Sequence, residues 1–487
     1  MSLGAVLNSA RTSLSAISSR TQVVSENISN ADNPDYSRRI AENVSARHGI
    51  LRVSVNRAQD RNVLEQVLEY TSVHSANMAL QDGLDELQLV YGDVDSEISP
   101  SAMMSRLQAD LQAFISMPDS AAAASQAVGS ARDLAAGINR GAETVADLRR
   151  SADEEIARSV DRINKLLLEF HEANSAIVTG RLTDAERVQN EDTRDRVLVE
   201  LAEELDIRTV EQNDGGLAIY TTGGAVLYER GPREVRFDPQ PTLASGVPGG
   251  RVYIDNVPVT GDGAVMRLSS GRISGLIELR DEVAAGWEKQ LDEMARGLIE
   301  AFAESDRSGG GNPDVPGLFT WSGSPAMPPS GTHVSGLARD LRVNPAVDPL
   351  VGGDPFLLRD GGMGGAAYVY NTTGVAGYTE RLLELNAALD APRAFDPSAG
   401  LSDSASIKEF AGLSVSWVEQ RRANAARNTD YSAALLTRAS DALSKATGVD
   451  LDSELELMMR LERSYQATAR LLTTVDNMLG ELMNAMR

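Results

Sequence analysis

The sequence contains no cysteine, few aromatic residues and no long apolar run. Without cysteine, the chain can form neither disulfide bonds nor thiolate metal sites. No stretch approaches the ~20 consecutive apolar residues of a membrane-spanning helix, and the start lacks the basic and apolar regions of a cleavable secretory signal. Lys and Arg number 46 against 70 Asp and Glu, giving a net charge of -24. This acidic excess argues against nucleic acid or an anionic membrane as a partner.

Motifs for catalysis or metal binding are also missing. His171 begins a segment like that of a zinc-protease helix, but Ser175 stands where the second histidine is needed. The acidic segment from Asp93 has Ile98 and Met104 where a calcium loop needs glycine and a bidentate acid. The glycine-rich clusters lack the lysine and the strand-to-helix setting of a phosphate-binding loop. We therefore expect no catalytic residue, no cofactor and no metal site, and do not expect an enzyme.

The first residues form a regular helical pattern. Apolar and small residues recur at alternating spacings of four and three, which predicts an amphipathic helix with a heptad seam. This seam comprises Leu3, Leu7, Ala10, Leu14, Ile17, Thr21, Val24 and Ile28. Pro34 has no amide hydrogen and disfavours helical backbone at Asn33, so the helix should end at or before Asn33. Leu51, Val53 and Val55 alternate with polar residues, which predicts a short strand.

The middle of the chain predicts a mainly α-helical protein with a β-rich insert. Residues 58–206 have a helical pattern with breaks near Gly92, Pro100, Pro118 and Gly180. The apolar period then changes to two, and turn pairs at Asp214-Gly215 and Gly223-Gly224 are typical of hairpins. After a further helix, a region rich in glycine and proline contains candidate strands at 318–321 and 341–343, before helices resume near Val375 and again at about 404.

A second long amphipathic helix is predicted at the other end of the chain. Gly448 should close the preceding helix as a C′ residue, and Asp450 should cap the next one. Asp452 and Glu454 suit the positive end of its dipole. The apolar stripe comprises Leu451, Leu455, Met458, Tyr465, Leu472, Val475, Leu479, Leu482 and Met486. Because such a helix gains most of its stability by burying its stripe, we expect the terminal helices to pair with each other, with other subunits, or with both.

Two terminal motifs resemble those of a known group of proteins. The segment NISNADNPDYSRR is similar to the N-terminal motif of bacterial flagellar axial proteins, an Asn-Ile-Ala-Asn run followed by Thr-Pro-Gly-Tyr-Ser. The matching residues are Asn27, Ile28, Asn30, Pro34, Tyr36, Ser37 and Arg38. Asp35 stands where the motif has glycine. Aspartate is acceptable there in a type I turn, whereas a type II turn would favour glycine.

The C-terminal segment from Thr447 to Met483 resembles the end of the hook-associated protein 1 family, the first hook–filament junction proteins. The matching residues are Gly448, Val449, Leu451, Asp452, Glu454, Tyr465, Gln466, Ala467, Ala469, Arg470, Asp476 and Met478. The resemblance implies a structural protein with paired N- and C-terminal axial helices, an elongated helical rod domain and an outer β-rich domain. It further implies a homo-oligomeric ring that contacts the hook protein, the second hook-associated junction protein and the filament.

The resemblance also implies a route out of the cell and a division of the chain. Export through the flagellar type III system would place the protein in the extracellular flagellum, after an export chaperone had covered the C-terminal helix. The implied segments are 1–57 and 447–487 as the two halves of the axial domain, 58–206, 271–305 and 375–446 as rod domain, 207–270 as β-rich insert, and 306–374 as an irregular or β outer region.

The implied subunit interface follows the seams of both terminal helices. Its residues are Leu3, Leu7, Leu14, Ile17, Val24 and Ile28 in the first helix, and Leu455, Met458, Tyr465, Leu472, Val475, Leu479, Leu482 and Met486 in the second. The implied turn and motif residues are Asn27, Asn30, Pro34, Tyr36, Arg38, Gly448 and Asp452. Two alternatives stay open: another axial protein of the flagellum, such as the second junction protein, the hook or the rod, and a secreted enzyme or adhesin docked on the flagellum.

Overall fold

Helices form most of the chain that the structure describes. The computed structural model describes residues 3–45, 51–92, 96–240 and 243–485. The first elements are α1 (Leu3–Ser29), β1 (Arg39–Ser45) and β2 (Leu51–Arg57), and the two strands form an antiparallel hairpin. The next elements are α2 (Arg61–Tyr91), α3 (Pro100–Ser116), α4 (Ala121–Val178) and α5 (Asp184–Glu204). Their ends lie close to the breaks that the sequence predicts, whereas β1 was not predicted.

Local side-chain chemistry explains where these helices begin. The side chains of Asp60, Ser99 and Ser120 each accept a hydrogen bond from a backbone amide in the first turn of the helix that follows. Thr183 and Glu186 form a reciprocal capping box at the start of α5. Such caps satisfy amide groups that would otherwise lack partners, so each start is fixed locally.

The long helix α4 organises the body of the molecule. It contains 58 residues and is about 87 Å long at ~1.5 Å per residue. Helices α3 and α5 pack along it, and its buried apolar stripe includes Ile138, Val145, Ile156 and Phe170. This arrangement confirms the predicted helical body.

A β-rich insert follows α5, as predicted. Its first antiparallel sheet has the order β3-β4-β5 and its second has the order β6-β7-β8. The strands are β3 (Ile207–Glu211), β4 (Leu217–Thr221), β5 (Val226–Tyr228), β6 (Val235–Phe237), β7 (Val252–Ile254) and β8 (Val257–Pro258). The predicted turn pairs at Asp214-Gly215 and Gly223-Gly224 connect β3 to β4 and β4 to β5.

The chain then returns to the helical body. Helix α6 (Arg272–Ile277) continues through a π-helical turn (Glu278–Val283) into α7 (Ala284–Ala301), which is buried on most of its surface. The irregular region contains β9 (Phe319–Thr320), α8 (Leu337–Asp340), β10 (Arg342–Val343) and α9 (Leu357–Asp360). Strands β9 and β10 pair with each other at the two predicted positions.

The last elements lead to the C-terminal helix. They are α10 (Glu380–Ala388), β11 (Arg393–Ala394), β12 (Ser404–Ala405), α11 (Ile407–Thr447) and α12 (Leu451–Ala485). Helix α11 packs along α2, and α12 packs along α1. The two terminal helices are therefore paired within one chain, on a mainly α-helical fold.

Candidate assembly site

The chain changes direction at the Asn33-Pro34 turn after α1 has ended at Ser29. The amide of Tyr36 donates to the carbonyl oxygen of Asn33 at 3.2 Å, and the amide of Asp35 donates to Asn33 Oδ1 at 3.1 Å. Pro34 thus occupies the second position of a β-turn, and Asp35 keeps a negative φ. A negative φ at this position fits a type I turn and excludes type II.

Asn27 lies at the centre of the contacts beneath this turn. It is only 1% exposed. Its Nδ2 donates to the carbonyl oxygen of Arg39 at 2.9 Å and to Glu454 Oε2 at 3.1 Å. Its Oδ1 accepts from the hydroxyl of Tyr36 at 2.8 Å and from the amide of Arg39 at 2.9 Å. These four hydrogen bonds use the full capacity of the amide group.

Glu454 joins this cluster from the C-terminal helix and is itself fully buried. Its Oε1 accepts from Arg38 Nε at 2.7 Å, while the amide of Arg38 donates to the carbonyl oxygen of Thr447, also at 2.7 Å. The N-terminal motif is therefore bonded to both sides of the break between α11 and α12. We call Asn27, Tyr36, Arg38, Arg39 and Glu454 the terminal polar cluster.

Burial also affects Tyr36. Removal from water raises the pKa of its hydroxyl to about 12, an effect that outweighs the opposite influence of the Arg39 guanidinium. That guanidinium lies 4.9 Å from the centre of the Tyr36 ring and pairs with Glu26 at 2.9 Å. Tyr36 thus stays a neutral hydrogen-bond donor at any ordinary pH.

Asp450 and Gly448 define the break between α11 and α12. Asp450 Oδ1 accepts from the amide of Ser453 at 2.8 Å, as expected of a cap, and this hydrogen bond lowers the pKa of Asp450. Gly448 closes α11, but with φ -73° and ψ 172°. The backbone of Gly448 is therefore extended, whereas residues that close helices are often left-handed. A glycine is still favoured, because an added Cβ would lie 2.4 Å from the carbonyl oxygen of Ser444.

The remaining motif residues lie around the cluster. Asn30 Nδ2 donates to the carbonyl oxygen of Glu26 at 2.8 Å and so satisfies one of the last carbonyl groups of α1. Asp452 lies in the first turn of α12 with its side chain exposed to solvent. It therefore has the position that favours the helix dipole but does not enter the terminal polar cluster.

The seam between α1 and α12 differs in part from the predicted stripes. Ala10, Val24 and Val475 are buried as expected, whereas Leu455 and Tyr465 are about half exposed. Partly buried members of the stripes are Leu7, Leu14, Ile17, Ile28, Met458, Leu472 and Leu479. The side chains of Leu3 and Leu482, and the whole of Met486, lie outside the described residues.

Sequence reasoning did not predict the burial of four residues of α1 and α12: Ala16, Val23, Leu461 and Glu454. Glu454 was expected only as a favourable charge in a first helical turn. A signal existed, because Glu454, Leu461, Thr468 and Val475 recur every seven residues and so share one helix face. An acid that shares a helix face with mainly apolar residues should have a partner in the protein interior. Here that partner is the N-terminal motif.

A cleft of about 780 Å³ opens beside the cluster. Its walls are the 31–37 turn, the start of α2, one face of α5 and the end of α11. Across the described ranges, no set of three His, Asp or Glu side chains is arranged to hold a metal ion. No described helix is both long and apolar enough to span a membrane.

Comparison with known proteins agrees with this architecture. Residues 84–317 match the family described as the flagellar hook-associated protein FlgK helical domain. Residues 441–485 match the C-terminal family of the flagellar basal body rod FlgEFG proteins. Flagellar hook-associated protein 1 of Bacillus subtilis (strain 168) is 21% identical over 532 residues, covering 99% of this chain and 98% of that protein.

A solved structure is also similar to part of the chain. The flagellar hook junction protein FlgK from Burkholderia pseudomallei superposes with a TM-score of 0.43 at 19% identity, over 53% of this chain and 47% of that one. The family matches define a structural component of the bacterial flagellum, with a helical body and a C-terminal helix of the rod-protein type. Over almost its whole length the chain is similar to flagellar hook-associated protein 1.

Proposed function

We propose that this protein joins the hook of the flagellum to its filament. In this proposal, copies of the chain form a ring that contacts the hook protein on one side and the second hook-associated junction protein and filament on the other. The similarity of almost the whole chain to flagellar hook-associated protein 1, and the match of residues 84–317 to the FlgK helical domain, support the proposal. The supporting structural observation is the incomplete burial of the apolar surface of α12.

Helix α1 covers only the central column of that surface. On one side of the buried column, Leu471 and Met478 are 49% and 53% exposed. On the other side, Leu451 and Tyr465 are 45% and 46% exposed. Exposed apolar rows of this kind mark interfaces. Because the rows flank the α1–α12 pair on both sides, each pair is suited to contact a neighbouring pair on either side.

The proposed interface therefore uses the exposed and partly buried stripe residues. They are Leu7, Leu14, Ile17, Ile28, Leu455, Met458, Tyr465, Leu472 and Leu479, with Leu3, Leu482 and Met486 added from the sequence pattern alone. Val24 and Val475 are buried between α1 and α12. They support the interface from within the chain.

The same exposed stripe supports two further parts of the proposal. Before assembly, an uncovered apolar helix would promote aggregation, so an export chaperone that binds α12 would protect the chain. Export by the flagellar type III system would then deliver the protein to the extracellular flagellum. We also propose that 1–57 with 447–487 form an axial domain, that 58–206, 271–305 and 375–446 form the rod domain, and that 207–270 and 306–374 form the outer parts.

Deletion of the gene tests the junction role directly. We expect intact hooks without filaments, together with unassembled filament protein in the medium. The full-length gene should restore attached filaments, whereas a gene lacking residues 455–487 should not. Attached filaments in the deletion strain, or in the strain with the truncated protein, would contradict the proposal.

A different axial position is the second candidate, because residues 441–485 match the C-terminal family of rod proteins. Immunogold electron microscopy separates the two. A junction protein gives one narrow band where hook and filament meet, whereas a rod or hook protein labels the basal body or the length of the hook.

A further inference from the structure

The terminal polar cluster places a charged residue at the head of a column of α12 whose other described members are uncharged. In the buried column of α12, Glu454 is followed at seven-residue intervals by Leu461, Thr468 and Val475. Apolar positions that repeat in this way tolerate a shift of one heptad, because one uncharged side chain can take the place of another. A buried polar group does not tolerate it, since the shift would separate it from its partners.

We infer that the contact of Asn27 and Arg38 with Glu454 sets the register in which α1 and α12 pair. The contact would thereby favour this pairing within one chain over shifted pairings, including those with the helices of neighbouring copies. This inference deepens the proposed function. Its statement about neighbouring copies rests on that proposed function.

The geometry makes a shifted register costly. A shift of α12 by seven residues would bring Leu461 opposite Asn27 and remove Glu454 from the cluster. Asn27 Nδ2 would lose one acceptor, and Arg38 Nε would lose its carboxylate partner. Hydrogen bonds to a charged group that are lost in a buried place reduce the population of the shifted state by about ten-fold or more. No other position in the column offers a comparable penalty, because Leu461 and Val475 are apolar and Thr468 is uncharged.

Replacement of Glu454 by leucine should affect the register of the two helices without preventing them from pairing. Leucine would complete the apolar column, and Arg38, whose side chain is 35% exposed, can be hydrated instead. Asn27 would retain three of its four hydrogen bonds. Removing one partner of an ion pair is costly where the other charge stays buried, and the partial exposure of Arg38 reduces that cost. We therefore expect Glu454→Leu to keep the helices paired but to lose their unique register.

The absence of native cysteine allows a direct test by disulfide cross-linking of the full chain. Ser13 and Thr468 each lie fourteen residues from the Asn27–Glu454 contact, so S13C/T468C reports the observed register. S13C/V475C reports a shift of one heptad, about 10 Å along the helix, which exceeds the reach of a disulfide. In otherwise unchanged protein, we expect intramolecular cross-linking of the first pair to exceed that of the second by at least ten-fold.

In the Glu454→Leu background, the two cross-links should form to within about two-fold of each other, a ratio near one. Glu456→Leu is the matched control, because Glu456 is an exposed acid two residues further along α12. It should keep the ten-fold preference. Circular dichroism would confirm that each variant is helical, and Asn27→Leu with Glu454→Leu provides a second variant with an entirely apolar contact.

Several outcomes would overturn the inference. One is an unchanged ten-fold preference in Glu454→Leu, and another is equal loss of preference in the Glu456→Leu control. Failure of S13C/T468C to cross-link when Glu454 is unchanged would also overturn it. So would loss of helical structure in both Glu454→Leu and the double variant Asn27→Leu with Glu454→Leu. Either result would show that the contact does not act on register. These measurements use the isolated chain, so they are independent of whether gene deletion detaches filaments.

Discussion

A single buried amide connects the two ends of this chain. Asn27 uses both hydrogens and both lone pairs of its side chain, and its partners come from the turn after α1 and from α12. An asparagine at this position could be expected from the family motif, but the motif does not reveal why an amide is needed. The structure provides the reason, because only a side chain that both donates and accepts can bond Tyr36 and Glu454 together.

The hydroxyl of Tyr36 gives a prediction with a distinct pH dependence. At pH 8, Tyr36→Phe should lower the free energy of unfolding by about 1 kcal/mol, since one buried hydrogen bond is lost. Burial raises the pKa of Tyr36 from 10.0 to about 12, so the unfolded chain releases this proton first as the pH rises. Native stability from this group is therefore present below pH 10 and is lost between pH 10 and about 12.

Urea unfolding at a series of pH values checks this prediction. The Phe variant has no hydroxyl to ionise at this position, so it cannot lose stability there as the pH rises. The difference in free energy of unfolding between it and the unchanged protein should therefore shrink above pH 10. Tyr465→Phe is the control, because the half-exposed ring of Tyr465 lies outside the cluster. A deficit that stays constant up to pH 12 would contradict the burial of the Tyr36 hydroxyl.

Arg57 provides a second prediction at the scale of residues. Its buried guanidinium pairs with Glu191 at 3.2 Å, Asp192 at 3.1 Å and Asp195 at 2.6 Å. Burial raises the pKa of Asp192 to about 6 even with Arg57 beside it. Arg57→Met would remove the ion-pair partner of Asp192 and Asp195, whereas Glu191 would keep Arg187 at 2.8 Å. The loss should lower the free energy of unfolding by about 3–5 kcal/mol.

Thermal and urea unfolding measure the change in the free energy of unfolding, with Arg61→Met as the control. Arg61 pairs with Glu211 at an exposed position, so its replacement should cost less than about 1 kcal/mol. Equal effects of the two replacements would show that the β1–β2 hairpin is not held on α5 by Arg57.

At the scale of elements, the sequence predicted what local chemistry determines. The helix starts at Ser99 and Thr183 were predictable in principle because their caps involve neighbours only a few residues away. Strand β1, and the two-residue strands β11 and β12, were not predicted, since each is defined by hydrogen bonds to a partner strand and not by its own pattern. The burial of Glu454 was missed for the same reason: its partners lie more than 400 residues away in the chain.

The junction between α11 and α12 gives a prediction about glycine. Gly448→Ala keeps an ordinary φ, but its Cβ would lie 2.4 Å from the Ser444 carbonyl oxygen, so the end of α11 must shift. We expect a loss of stability of about 1–3 kcal/mol, as for other over-packed sites. The matched replacement is Gly412→Ala within α11, where the Cβ meets nothing within 4 Å.

Gly412→Ala should raise the free energy of unfolding by about 0.5–1 kcal/mol, because alanine favours helix more than glycine does. Calorimetric unfolding of both variants tests the pair of effects. Stabilisation by Gly448→Ala would mean that the end of α11 has room for a side chain and that Gly448 is not needed to set the direction of α12.

At the scale of the whole molecule, the two terminal helices combine a specific inner contact with a less specific outer surface. The inner contact is polar and uses every group of Asn27, whereas the outer rows of α12 consist of leucine, methionine and tyrosine. Methionine is flexible and suits surfaces that meet differently shaped partners. This division fits the proposed assembly, in which the chain folds in one way and binds neighbours on two sides.

The outer rows give the prediction that tests assembly without disturbing the fold. Leu471→Asp with Met478→Asp changes two exposed residues on one side of the α1–α12 pair. The isolated chain should unfold within about 1 kcal/mol of the unchanged protein, since surface replacements are rarely costly. Assembly should fail, because charges buried between neighbouring copies lack partners.

Motility and electron microscopy of cells carrying the double variant measure this failure. Val265→Asp is the control: Val265 is 92% exposed in the β-rich insert, and its replacement adds the same charge far from the proposed interface. We expect attached filaments with the control and bare hooks with the double variant. Normal filaments with both would show that this side of α12 faces no neighbour, and the contacts between copies would then have to lie on the row formed by Leu451 and Tyr465.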